Sequence, residues 1–462
     1  MVKYILIILF ISQNILLSQF NWEYKKEANL YESFKYIKCR DSICYVLGDY
    51  FEELINVLRS TDYGESWEKV YHSFELPYMA YGFALSYPCP GYVYIATHYP
   101  IILRTKDNFK TVDTLLLRDS ISLTKNEYFR SLSMSDSLTG VVFSPTSLYK
   151  TTDGWETVED LTDLRYSDII PENRTVFFGN EFSNLVHTFD KDNFLLNMSA
   201  LKYVNQYEAI RYNYISRTND GGKTWHLFEL ANQEALIDTS IYMSDFYFID
   251  KLSGWALGQR INTKVYPRVD NQNLVYKTTD GGYNWEIIWE DEPQTKRFLI
   301  SISFRDSLFG IASGKEAVLM LTTDGGKSWQ DISEKNLSPD ARGGRVVQRV
   351  AFAGDNPIIA AFGDGILKGY YSTSISDKIE SKDNIYPNPA SDFITIQLSN
   401  KGLQPFATEE KVQIFDVLGI EIMSESIHPL ADSHRMNVVK LPVGVYFIRI
   451  GNKVEKFIKK EF

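Results

Sequence analysis

Cysteine, histidine and positive charge are scarce in this chain, and each scarcity removes a class of function. Three cysteines in 462 residues cannot form a disulfide scaffold. Cys39 and Cys44 flank the short turn Arg40-Asp41-Ser42-Ile43, and Cys89 has no evident partner in sequence. In an oxidising compartment the first two could bond across a hairpin; two buried thiols is the alternative. The six histidines (His72, His98, His187, His226, His428, His434) show no metal-ligand spacing, so no metal is expected. A net charge of -11 argues against a nucleic-acid partner, because binding phosphate requires a basic surface. No G-x-S-x-G elbow occurs. No interior apolar run is long enough to span a bilayer. Neither a catalytic residue nor a cofactor site is singled out.

What the chain does have is an eight-residue loop that recurs six times. Its cleanest copies are Thr218–Trp225, Thr278–Trp285 and Thr322–Trp329. They share Asp220, Gly222 and Trp225; Asp280, Gly282 and Trp285; and Asp324, Gly326 and Trp329. A fourth, Ser60–Trp67, keeps Asp62, Gly64 and Trp67. Two worn copies, Thr105–Val112 and Thr151–Val158, keep Asp107 and Asp153 with Thr111 and Thr157. A period of roughly 45 residues, twice stretched, indicates a propeller or solenoid. Aromatic residues at 14% suit β-rich packing.

Each repeat also carries an apolar strand, an Asp, a Gly four residues later and a second apolar strand. Asp136 with Gly140, Asp250 with Gly254 and Asp306 with Gly310 follow this scheme. One strand before the loop and one after it complete four short antiparallel strands, the content of a propeller blade. A seventh unit, Arg349 to Tyr371, lacks the loop. The expected fold is all-β: a seven-bladed β-propeller, six blades being the fallback, followed by a small Ig-like β-sandwich. The segment after the N-terminal apolar run is expected to close the ring, which removes open sheet edges. Asn180–Ile210 and Arg260–Gln272 read as long insertions between the second and third strands of their blades, on the face opposite the loops. Insertions of this kind are where binding commonly resides.

The loop chemistry reads as a hairpin staple. Its Asp can accept backbone N–H groups and the hydroxyl four residues on, its Gly supplies a positive φ, and its Trp buries a ring. Arg59, Arg104, Lys150, Arg217 and Lys277 precede five of the six copies, which makes them a repeat feature. The pattern resembles the Asp-box, or BNR repeat, S/T-x-D-x-G-x-T/S-W, over roughly residues 30 to 375. Bacterial sialidases, xyloglucan-cleaving glycosidases, sortilin-type receptors and photosystem II assembly factor-like propellers carry such boxes, and the Thr-Thr-Asp-Gly-Gly-x-x-Trp form looks most like the last group. The resemblance implies that the boxes are structural and lie away from the binding face. The Arg-Ile-Pro motif of sialidases is absent. A glycosidase of another type needs a facing carboxylate pair; Asp190, Asp192, Glu208 and Asp270 are available, but no spacing selects two of them. Gly343-Gly344, between two arginines, reads as a turn.

Lys3 followed by the apolar run Tyr4–Leu17 reads as a secretory signal over residues 1–18, which leaves no transmembrane segment after its removal. Residues 19–375 then form the propeller and the polar stretch 376–384 a linker. Residues 385–462 resemble the type A sorting domain of the type IX secretion system. The resemblance rests on Ile385-Tyr-Pro387-Asn388-Pro389-Ala-Ser-Asp-Phe393, on Val412-Gln-Ile-Phe-Asp-Val-Leu-Gly419 and on Leu441-Pro-Val-Gly444-Val-Tyr446-Phe-Ile-Arg-Ile450, followed by a basic end. Pro387 and Pro389 are expected to stiffen the entry, and Gly419 and Gly444 to make turns. Lys401–Glu410 is long for the family and implies a longer loop. The resemblance implies export through the type IX machinery to the medium or the outer-membrane surface. The sequence thus points to a secreted, non-catalytic binding or scaffold module for a protein or glycan, with a sialidase- or xyloglucanase-like hydrolase as the alternative.

Overall fold

The computed structural model describes residues 20–27, 32–50, 54–73, 82–97, 100–117, 129–144, 147–162, 175–178, 185–203, 209–230, 239–262, 271–292, 298–315, 317–333, 347–355, 357–362, 365–371, 385–397, 410–416, 421–427, 433–450 and 453–460. The signal segment, the linker, Gly419, Glu208, Asp270, His98, His428 and Gly343-Gly344 lie outside them. The chain divides into two compact units, Asn21–Tyr370 and a second comprising Tyr371–Phe462 with Met1–Phe20.

The fold is all-β, and the larger unit is a β-propeller. Among the described residues it holds seven antiparallel sheets, six of them four-stranded; in the fourth the first strand is split in two. The first sheet is Glu32–Arg40, Ile43–Tyr50, Leu54–Ser60 and Glu68–His72. The last consists of Val347–Phe352, Ile358–Phe362 and Gly365–Tyr371, and its outermost strand is Phe20–Glu27 from the chain start. That pairing is the closure anticipated from sequence. Trp22 reinforces it by donating its indole N–H to the Ile332 carbonyl at 3.1 Å, beside the sixth sheet.

Burial explains the strand compositions. Second and third strands are covered by neighbouring sheets on both faces, so Gly310–Gly314, Leu319–Thr322 and Ile358–Phe362 are buried at every position. Fourth strands line the rim and read polar, as in Glu68–His72 and Asp113–Leu116. First strands of adjacent sheets pack side by side, and Val347–Phe352 of the last sheet packs on Glu32–Arg40 of the first.

The two expected insertions need correction. Most of Asn180–Ile210 is strand, not loop. Val186–Thr188 joins Thr175–Phe178 as the split first strand, and Phe194–Tyr203 pairs with Ala209–Thr218 along ten residues. The apolar run Phe194–Leu196 with Met198 is buried on both faces and continues the sheet, and the polar residues around it had suggested an excursion. The ends of Arg260–Gln272 likewise extend the ladder, with Arg260 opposite Gln272; residues 263–270 lie outside the described set.

In the second unit two sheets form a small sandwich. Ile385–Tyr386, Phe393–Gln397 and Ser433–Asn437 make one; Glu421–Ile427, Glu410–Phe415, Gly444–Ile450 and Lys453–Lys459 make the other. Ile394, Val412, Ile414, Met436 and Phe457 fill the core between them. The Asn388 carboxamide explains its motif: its oxygen accepts the Ile458 N–H at 3.0 Å and its nitrogen donates to the Lys456 carbonyl at 3.1 Å. The Tyr446 hydroxyl donates to the Pro442 carbonyl at 2.8 Å. Gly444 opens a strand and does not form a turn, and it takes no positive φ.

Candidate functional site

The six carboxylates of the recurring loops carry the strongest sequence signal. Each loop joins the third and fourth strands of its sheet. Asp220 accepts the Thr224 N–H at 2.9 Å, the Thr224 hydroxyl at 2.6 Å and the Thr218 hydroxyl at 2.9 Å. Asp62, Asp107, Asp153, Asp280 and Asp324 repeat this set with the equivalent residues. For Asp62, these bonds outweigh burial and hold the carboxyl down at about 2. The indoles of Trp67, Trp225, Trp285 and Trp329 donate to the Gly64, Gly222, Gly282 and Gly326 carbonyls.

The worn copies keep the same backbone. Two consecutive residues take positive φ in every loop, and in the worn copies non-glycine residues bear the strain: Asn108 and Phe109 at 60° and 70°, and Trp155 at 75° after Gly154. At Gly281 glycine is required, since a Cβ would lie 2.7 Å from the Lys251 carbonyl. Replacing Asp220 with alanine is expected to cost about 1–2 kcal/mol, because charged hydrogen bonds are lost at a half-exposed site. A lower urea midpoint at unchanged slope would show this; an unchanged midpoint would contradict the staple.

The basic residues before the loops form a relay around the ring. Arg59 donates to the Asn108 carbonyl of the next loop at 3.3 Å, Arg104 to Gly154 at 2.7 Å, Lys150 to Gly221 at 3.2 Å and Arg217 to Gly281 at 2.9 Å. At the next step Trp255 donates to Gly325 at 2.9 Å, with the Lys277 ammonium over its ring at 5.1 Å. Lys368 of the last sheet reaches Glu65 in the first loop at 2.6 Å. The sixth loop is preceded by Leu321, which has no loop to reach because the seventh sheet lacks one. These cations therefore join neighbouring sheets.

The other candidate acids are placed equally far from chemistry. Asp190 caps a turn, accepting the Asp192 and Asn193 N–H groups, and pairs with Lys251 at 2.9 Å. The Asp192 carbonyl accepts the Gly221 N–H. Asp136, Asp250 and Asp306 cap their turns in the same way. Cys39 and Cys44 are directly opposite in register and form a disulfide. Among the described residues no group of His, Cys, Asp and Glu could hold a metal.

A different set of residues converges on the axis, where the first strands line a channel. Its body is a cavity of about 290 Å³ walled by Lys38, Ser86, Tyr87, Ser133, His187, Asp245 and Ser303, among others. Its mouth, on the side away from the recurring loops, is a cavity of about 570 Å³ lined by Tyr36, Phe83, Arg130, Tyr242, Phe298, Lys315 and Arg349, among others. Register shifts at Phe34/Tyr36, Gly82/Ala84, Met243/Asp245, Leu299/Ser301 and Val347/Arg349 put bulges into five first strands near this mouth. A bulge re-aims the side chains beside it, here those of Tyr36, Asp245 and Arg349. Arg349 lies over the Tyr36 ring at 5.4 Å and Lys315 over the Phe298 ring at 4.6 Å. Burial drives the His187 pKa down to about 3, helped by Lys38 and Arg217, so the imidazole is neutral. Burial also raises the Tyr36 and Tyr247 phenols. Among the described lining residues Asp245 is the one carboxylate, and it accepts the Phe246 and Ile302 N–H groups at 3.1 and 3.0 Å.

Sequence reading missed this set. Its members share no motif and are spread over the seven sheets and the residues flanking their strands. The usable signal was positional, since the turn Asp of each repeat marks where its first strand ends.

Comparison with known proteins agrees with the two-part architecture. Residues 384–461 match the family model described as the secretion system C-terminal sorting domain, and residues 237–348 that of photosynthesis system II assembly factor YCF48. The chain therefore carries a sorting domain and is secreted or held at the cell surface. Among solved structures, YCF48 from Cyanidioschyzon merolae is 13% identical with a TM-score of 0.51, covering 77% of this chain and 99% of that one. YCF48 bound to D1 peptide is 13% identical with a TM-score of 0.50, covering 76% and 97%. At this identity the likeness concerns the fold alone. No curated protein matches the chain. No helix among the described residues is long and apolar enough to cross a membrane.

Proposed function

We propose that this secreted or cell-surface propeller is a binding or scaffold module for a protein or glycan, and that its ligand sits at the channel mouth. The seven sheets are read as seven blades over residues 19–375, preceded by a signal over 1–18 and joined through a linker at 376–384 to the sorting domain at 385–462. That domain is the partner of the type IX machinery. The six recurring loops are Asp-boxes with a structural role.

The observation that carries this reading is the mouth cavity of about 570 Å³. It combines aromatic rings with Arg130, Lys315 and Arg349, in a chain of net charge -11. Aromatic walls with a few oriented polar groups are the usual make-up of a binding cavity. The lengthened strands Phe194–Tyr203, Ala209–Thr218, Thr239–Phe248 and Gly254–Asn262 extend toward the same side. YCF48, a propeller of similar fold, has been solved with a D1 peptide bound, which favours a peptide or protein ligand here as well. A glycosidase needs two facing carboxylates, and Asp245 is already committed to backbone amides.

Two measurements on the mature chain test the proposal. Sugar release from sialylated, plant and microbial polysaccharides should not exceed a buffer blank; release would make the protein a hydrolase. Binding to peptide and glycan arrays should be weakened by Lys315→Glu at the mouth and kept by Lys327→Glu in the sixth loop. The opposite pattern would place the ligand on the loop face.

A further inference from the structure

The channel below the mouth has an imbalance in its polar groups. Four of its serines are engaged between sheets. The Ser86 hydroxyl accepts the Met134 N–H at 3.1 Å, that of Ser131 the Val186 N–H at 3.2 Å, and that of Ser133 the Thr188 N–H at 2.9 Å. Ser303 bonds the Tyr247 phenol. Asp245 spends both oxygens on backbone N–H groups. His187 is neutral, held 4.7 Å from both Phe189 and Phe248.

Lys38 stands apart. Its side chain borders the channel and is exposed to it; the surrounding protein pushes its pKa below the usual lysine value, and the Arg349 charge adds to this while Asp245 opposes it. No hydrogen bond or ion pair ties its ammonium to a described residue; Asp245 acts on it only as a charge at longer range. Arg349 and Arg130 border both the channel and its mouth. Three cations therefore face one carboxylate along this wall, in a protein that is acidic as a whole. A cleft lined by an excess of positive charge attracts a counter-ion, and the charged hydrogen bonds of an ammonium to an oxyanion are strong.

We propose that the channel is a site for a single oxyanion of carboxylate, sulfate or phosphate size, received by the Lys38 ammonium with Arg349 and Arg130 at its entrance. A cavity of about 290 Å³ has room for such a group, together with a short stem leading back to the mouth. The inference deepens the binding reading, since an acidic end of a mouth-bound ligand would enter here.

The test uses the mature full-length chain and small anions alone. Sodium sulfate and sodium acetate are titrated by calorimetry against sodium chloride at equal ionic strength. Saturable binding of either anion, absent with chloride, is expected. A sulfate response alone identifies an inorganic-type anion, and an acetate response a carboxylate. Lys38→Met should weaken binding by about tenfold or more, the worth of one charged contact. Lys38→Arg should keep it, which separates loss of charge from loss of fold, and Lys327→Met should leave it unchanged. No saturable binding beyond chloride, or undiminished binding in Lys38→Met, overturns the proposal. Because no macromolecule is present, neither result depends on the array measurements with Lys315→Glu.

Discussion

Trp255→Ala should destabilise the propeller by about 3–5 kcal/mol, the range for removing a large aromatic from a packed core. Trp255 is 0% exposed and stacks on Phe304 with centroids 3.7 Å apart and planes 10° from parallel. Its indole N–H also satisfies the Gly325 carbonyl, the one step of the ring relay made by an aromatic residue. Trp255→Phe separates the two contributions. It keeps a stacking ring but leaves the Gly325 carbonyl short of its donor, which should cost about 1–2 kcal/mol beyond the lost volume. Denaturant midpoints of the propeller transition measure both. If alanine cost less than phenylalanine, or if either cost nothing, the stack would not be holding the fifth and sixth sheets together.

Glu65→Gln should open the ring closure and lower stability by about 2 kcal/mol at neutral pH. Glu65 in the first loop receives Lys25 from the N-terminal strand at 2.6 Å and Lys368 from the last sheet at 2.6 Å, and it also bonds the Tyr370 hydroxyl. Lys368 is 2% exposed, so removing its partner leaves a buried charge uncompensated. The bonds from Lys25, Lys368 and Tyr370 hold the Glu65 carboxyl down at about 2, against an ordinary 4.5. A shift of that size in a shielded group is worth ~3 kcal/mol. The side chain is 45% exposed, and screening by water brings the figure down to about 2 kcal/mol. Because the folded pKa is depressed, this contribution is fully present above pH 4.5 and is lost as pH falls through about 2. The gap between wild type and Glu65→Gln should therefore be widest at neutral pH and close across that acid window. A gap that persists at pH 2 would mean the stabilisation is not electrostatic.

The placement of Glu65 shows where sequence reading stops. Its loop was recognised from Asp62, Gly64 and Trp67, and the hydrogen bonds of Asp62 were anticipated by type. That Glu65, beside Gly64, closes the ring could not be read, because Lys368 and Tyr370 lie more than 300 positions away along the chain and Lys25 on a strand that pairs with them only once the ring closes. The same holds for Arg59, Arg104, Lys150 and Arg217. Their recurrence marked them as a repeat feature, but the acceptor of each is a backbone carbonyl in the next sheet, which has no sequence signature. The stretch Asn180–Ile210 failed for a local reason. Polar residues around Leu195–Met198 masked a strand whose two faces enter two different cores, Leu196 and Met198 in one and Leu195 in the other, only once it joins the sheet.

By itself the sequence determined the local elements: the stapled loops, the capped turns, the four-strand repeat and the sorting domain. These depend on contacts within a few residues or on a period that returns along the chain. The tertiary structure alone decided the relay between sheets, the closing role of Glu65, and the meeting of Lys38, Arg130, Asp245 and Arg349 around one axis. Lys38, Asp245 and Arg349 sit on three different first strands and Arg130 immediately precedes a fourth, and only closure of the ring brings such strands together. A charge that looks isolated in sequence becomes part of a channel wall, where the charges brought in by neighbouring sheets set its behaviour.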